Sequence, residues 1–195
     1  MSQFMPAISK REQIINQALN LFYKNGFHAT GVDKIISEAG VSKKTLYHHF
    51  RSKNELVLAT LRKRDELFRN NMMRETERLA TLPKDRLLAI FDFLDGWFNE
   101  DSFCGCMFIN ASAEFGDLKD PCHILCAEHK RLVCDYIASL AEKAGANDVS
   151  EMAKQWQLLV DGAIVKAHVE GDKEAAKRAQ SIARHILPAF FVTEG

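Results

Sequence analysis

Positions 42 to 53 bring together Ser42, Lys43, Lys44, Thr45, Tyr47, His48, His49 and Lys53, a run of hydroxyls, ammonium groups and imidazoles. All of them can donate a hydrogen bond, and the lysines carry full positive charge. Such a set suits the binding of a polyanion better than the making or breaking of a bond. A second chemically capable set is the five cysteines, Cys104, Cys106, Cys122, Cys126 and Cys134. Their odd number, in a chain with no secretion signal to be read in it, argues against a structural disulfide framework.

The elements that must carry the first set follow from spacing. Thr30 is a candidate cap for a short helix whose Val32, Ile35, Ile36 and Ala39 share one face. Gly40 then suits the left-handed conformation that ends a helix. Ser42 is the next cap, and Leu46 and Phe50 fall on the inner face of the helix it starts. The donors are left outward, in a helix-turn-helix. Upstream, Ser9 and Glu12 have the spacing of a capping box, and Ile14, Ile15, Ala18, Leu21 and Phe22 form a supporting helix that stops at Gly26.

Through Ala18, Leu21, Phe22, Gly26, Phe27, Thr30, Ile35, Ala39-Gly40-Val41-Ser42, Thr45-Leu46-Tyr47, His49-Phe50 and Ser52-Lys53, the stretch 14–56 resembles the DNA-binding domain of TetR/AcrR-type transcriptional regulators. The resemblance implies double-stranded operator DNA as partner, with the recognition helix in the major groove. Ser42, Thr45, Tyr47 and Lys53 then take phosphate contacts, Lys10 and Arg11 lie near the backbone, and Lys43, Lys44 and either His48 or His49 lie nearest the bases, with Thr30 among the DNA-side residues. Members often have glycine where this chain has Lys44, so an ammonium able to donate to guanine O6 and N7 makes Lys44 the leading candidate for base reading.

Charge supports that placement. Residues 1–64 hold 11 Lys and Arg against 4 Asp and Glu, and the remainder hold 15 against 22, so a net charge of zero conceals a basic first third. With 10 Gly and 4 Pro in 195 residues and little β-type alternation, the chain is expected to be all-α: a three-helix DNA-binding domain over 1–51 and a helical effector-binding and dimerisation domain over 52–195. No apolar run is long enough to cross a bilayer, and 1–10 does not read as a leader, which leads to the expectation of a cytoplasmic protein. Residues 1–8 are expected to be a mobile arm. Ser52 and Glu55 form a second capping box opening a connector helix to about position 79, followed by helices over about 84–99, 103–114, 121–144, 149–170 and 173–190. The last two are expected to run antiparallel, and the family resemblance implies that they form half of a four-helix dimer interface, facing a near-palindromic operator.

Three readings concern the effector. An aromatic pocket is expected from Phe68, Met72, Phe91, Phe98, Met107 and Trp156, with Asn110 and Glu114 on one face to fix a polar group of a small molecule. The segment Gly105-Cys106-Met107 resembles a Gly-Cys-Leu segment of electrophile-responsive repressors in the same family, which makes Cys106 a candidate sensor with Cys104 as a resolving thiol. Cys122, Cys126 and His129 share a helical face beside His123, but their spacing fits no zinc pattern, and no metal or cofactor is expected. No Ser-His-Asp order, phosphate-cradling glycine loop or His-Glu-x-x-His occurs, so an enzyme is not expected.

Overall fold

The computed structural model describes residues 8–191, so nearly all of the expected N-terminal arm lies outside it. Among the described residues there are nine α-helices and no strand: α1 Lys10–Asn25, α2 Val32–Glu38, α3 Lys43–His49, α4 Lys53–Leu79, α5 Pro83–Phe98, α6 Met107–Glu114, α7 Pro121–Ala144, α8 Val149–Val169 and α9 Ala175–Ile186. A 3-10 turn, Leu187–Phe190, follows α9. None of these helices is long and apolar enough to cross a membrane.

Local chemistry explains most boundaries. Ser9, Ser42 and Asp148 each accept from the backbone N–H three residues on, satisfying a donor that the first turn leaves free. Gly40, at φ 58°, makes the turn between α2 and α3. Pro83 sits in the first turn of α5, where its missing N–H costs no helical bond.

Three boundaries differ from expectation. Gly31, not Thr30, is the N-cap of α2, because the buried Thr30 hydroxyl turns back to donate to the carbonyls of Gly26 at 2.7 Å and Leu21 at 3.4 Å. Residues 103–106 are not helical, since Gly105 has φ 79° and α6 begins only at Met107. Finally, α9 starts at Ala175 and gives way at Leu187 to the 3-10 turn containing Pro188, which cannot donate to a continuing helix.

The chain forms two compact units. One comprises the described residues up to Asp65 together with Met107–Cys126; the other comprises Glu66–Cys106 together with the described residues from Ala127 onward. In the first, Ile14, Ala18, Phe22, Phe27, Ile35, Leu46 and Phe50 form the core. In the second, α5 packs against α8 and α9. Trp156 there is fully buried, its ring centroid 6.1 Å from that of Phe91, and its indole N–H donates to the Leu87 carbonyl at 2.8 Å.

Candidate nucleic-acid interface

Leu46 and Phe50 bury one side of α3 completely, which fixes the opposite side toward solvent. Ser42, Lys43, Lys44, Tyr47 and His48 are exposed there, and Thr45 and His49 are half-buried. Ser42 holds the start of the helix twice, accepting from the Thr45 N–H at 3.0 Å and meeting the Thr45 hydroxyl at 2.8 Å. The His48 and His49 rings lie edge to face with centroids 5.1 Å apart, and the His49 ring leans on Phe50 at 6.4 Å. Gln13 of α1 donates to the Ala39 carbonyl at 2.8 Å, pinning the end of α2 next to the turn. The cationic residues are therefore mounted on a rigid support. Lys43 stands 3.4 Å from Asp33 with both groups exposed, a contact too wet to neutralise either. Lys53, outside α3, donates to the His28 carbonyl at 3.3 Å. Thr30 is almost wholly buried and contributes to the turn, not to the surface.

The residues expected around an effector are divided between the two units. Phe91 and Trp156 are packed with each other, whereas Phe68 meets Phe93, Trp97 and His129 at ring distances of 5.7, 5.0 and 5.7 Å. Phe98 contacts Phe103, with ring centroids 5.1 Å apart. Met72 is buried, and Met107 and Asn110 lie on α6, in the unit that holds α3. Glu114 is committed elsewhere: one carboxylate oxygen accepts from the Phe27 N–H at 2.8 Å, the other from the His28 N–H at 2.6 Å, and the latter also meets His28 Nδ1 at 2.9 Å. Its carboxylate therefore holds the turn between α1 and α2. Partial burial pushes its carboxyl upward, but the His28 and Phe27 amides and the His28 ring outweigh that and hold it below the usual carboxylate range. The stabilisation is present at neutral pH and is lost only as acid protonates the group below that range. No sequence signal pointed to this role, because the partners lie 86 and 87 positions away.

None of the five cysteines is joined in a disulfide. Burial, the Asp120 charge and a bond to Asp120 push the Cys122 thiol to about 12, so it stays protonated and unreactive at neutral pH. No group of three or more metal-ligating side chains forms among the described residues. Cys106 is buried next to the Lys130 ammonium, which donates to its sulfur and also to Asp161 Oδ1 at 2.6 Å. Burial works against the charge on Lys130, but Cys106 and Asp161 outweigh it, so the ammonium is retained. Gly105 is forced by packing as well as by φ, since a Cβ there would stand 2.6 Å from the His168 ring.

On α8 and α9, Leu158, Gly162, Ala163, Ala175, Ala179 and Ile182 line an open, mostly apolar groove of about 440 Å³. Leu158 and Val169, about three turns apart on α8, are 73% and 74% exposed, unusually high for large apolar side chains.

The family model described as "Bacterial regulatory proteins, tetR family" matches residues 14–60, and that described as "Tetracyclin repressor-like, C-terminal domain" matches residues 83–183. The HTH-type transcriptional activator FasR of Mycolicibacterium smegmatis is 40% identical over 96 residues, which are 47% of this chain and 43% of that protein. The chain thus spans less than half the length of the first relatives it matches. The HTH-type transcriptional regulator YjdC of Escherichia coli is 23% identical over 181 residues, 91% of this chain and 93% of that one. Among solved structures, a TetR-family transcriptional regulator from Streptomyces coelicolor has a TM-score of 0.85 at 26% identity, with 93% of this chain and 95% of that chain covered.

Proposed function

The chain belongs to the TetR family of DNA-binding bacterial regulators, not enzymes, and from that membership we propose that it binds a near-palindromic operator as a homodimer and represses transcription until an effector shifts its reading heads. The observation that carries the reading is the outer face of α3, where Lys43, Lys44, Tyr47 and His48 stand exposed on a helix locked from behind by Leu46 and Phe50. Lys43 and Lys44 lie nearest the bases, and Ser42, Thr45, Tyr47 and Lys53 bind phosphate. The partner copy docks on α8 and α9, where exposed Leu158, Val169 and Ile182 gain by leaving water and Gly162, Ala175 and Ala179 permit close approach. Its place of action is the cytoplasm, with the DNA.

The effector is a small molecule or a thiol-reactive compound. Lys130 favours the second route, because an ammonium against the Cys106 sulfur is the kind of neighbour that stabilises a thiolate. Activation of transcription is the second reading of the sign, supported by the name of FasR, an activator. Fluorescence anisotropy on duplex DNA from upstream of the protein's own gene, at fixed salt, tests the proposal. Tight binding that a thiol-alkylating agent abolishes in the natural chain but not in Cys106→Ser supports the thiol route. Binding indifferent to alkylation discards that route and leaves a reversible ligand. Binding no tighter than to unrelated duplex would overturn the operator assignment for that DNA.

A further inference from the structure

The chain passes between its two compact units at three points: inside α4 after Asp65, inside α7 after Cys126, and at the Cys106–Met107 bond. Two of these crossings lie within continuous helices. The third lies at the start of α6, just after the non-helical Gly105, and is therefore the one of the three not stiffened by helical hydrogen bonds on both sides.

The far end of the same short helix is tied to the reading heads. Glu114, the last residue of α6, holds the Phe27 and His28 amides and the His28 ring. Gly26 is adapted to this contact, because with φ 84° and a would-be Cβ only 3.0 Å from Glu114 Oε1 no other residue fits without displacement. The next residue, Phe115, packs its ring on Phe27 at 5.7 Å and on His28 at 5.0 Å, and His123 Nδ1 of α7 lies 2.8 Å from the Phe115 carbonyl. On its other side, the turn leads to the α2 cap through Thr30, and Lys53 of α4 holds the His28 carbonyl.

We infer that Glu114 is a positioning residue for DNA recognition: its carboxylate clamps the α1–α2 turn, so that a displacement of α6 is delivered to α2 and α3 through that turn. The inference rests on the DNA-binding reading, but its test does not depend on the effector or on finding the operator. A charged acceptor serving two backbone donors and a ring suits this role, since its bonds are strong and directional. The clamp sets where the recognition helix begins, while the residues of α3 set what it reads.

Hydrogen exchange on the full-length Glu114→Gln protein, compared with the natural chain, is the deciding experiment. The glutamine nearly preserves volume while removing the charge and one acceptor. Amides 27 and 28 are expected to exchange faster, amides of 32–49 to lose roughly tenfold in protection, and peptides from 83–98 and 149–169 to remain unchanged, the size following from the loss of a charged acceptor. Anisotropy on duplex from upstream of the protein's own gene is expected to weaken by about the same factor. Faster exchange confined to 27 and 28, with 32–49 unchanged, would reduce Glu114 to a local turn cap and overturn the inference. Unchanged exchange throughout would do the same. If the glutamine variant unfolds globally, Glu114→Asp, which keeps the charge but withdraws it by one methylene, decides on the same amides. DNA binding absent from the natural chain, with the exchange pattern as expected, would count against the operator tested and leave the clamp standing.

Discussion

Lys43 and Lys44 stand in solvent on α3, whereas Lys130 of the other unit is held 2.6 Å from Asp161. In that second unit Arg131 meets Asp135 at 2.6 Å, and Lys166 meets Glu170 at 2.7 Å, each partner one turn along its own helix. The recognition helix contains no acidic residue at all. Cations held close against carboxylates offer less to a third partner, while Lys44, which has no acidic neighbour on α3, and Lys43, whose Asp33 contact is long and wet, retain their attraction for phosphate. The difference shows that sequence charge alone does not locate a DNA surface. The proposed surface is distinguished by positive charge standing in solvent on a face whose reverse side is buried by Leu46 and Phe50.

The sharpest way to break this contrast is to ask what holds the second unit together. If burial does so and charge does not, Trp156→Ala is expected to lower stability by about 3–5 kcal/mol, through the cavity it leaves and the loss of the indole bond to the Leu87 carbonyl. Urea unfolding measures it, and a loss below about 1 kcal/mol would show that the site relaxes or that the unit does not depend on this core. Next in size come two lysines of the first unit. Lys44→Ala is expected to cost about 1–3 kcal/mol of discrimination at one operator position, and Lys53→Ala to weaken all sequences alike and lower the salt slope by about one. Anisotropy over a salt series on matched and mismatched duplexes separates them, and equal losses on every sequence would erase the distinction between base reading and phosphate anchoring.

How far the fold could be read beforehand depended on the distance over which each signal acts. Ser9 and Ser42 act within three residues, and each caps as its sequence implies. Ser42→Ala is accordingly expected to cost about 1 kcal/mol in thermal or urea unfolding, below the two lysine effects on recognition. Thr30 failed as a cap because its hydroxyl had a better acceptor in the turn behind it, which no local pattern reports. Residues 103–106 were expected to begin the helix, yet Gly105 has φ 79° and its tight approach to His168 goes with a conformation that helix cannot share. Glu114 and Asn110 share a spacing that suggested one shared ligand, but the partners of Glu114 come from the opposite end of the sequence. The outer face of α3 was legible since its buried and exposed positions alternate with helical period. The effector region was not, because aromatic residues in a helical bundle have the same sequence signature whether they fill a core or line a cavity.

The smallest effect tests the contrast where it is most easily mistaken. Lys166 is as cationic as Lys44 and is 57% exposed, so a reading based on charge alone would give both a part in DNA binding. Its ammonium already bonds Glu170 at 2.7 Å, and removing it deletes an exposed one-turn pair whose contribution is small because water screens both ends. Lys166→Ala is therefore expected to change stability by less than about 0.5 kcal/mol and to leave the salt slope of operator binding where it was. The groove on α8 and α9 adds a second reading of the same variant, since Lys166 lies on its rim: a shift of the monomer–dimer equilibrium in sedimentation, with an unchanged salt slope, would place the side chain at the partner copy. A salt slope reduced as much as in Lys53→Ala would mean that paired cations on the second unit also reach the backbone of DNA, and the division between matched and unmatched charge would fail.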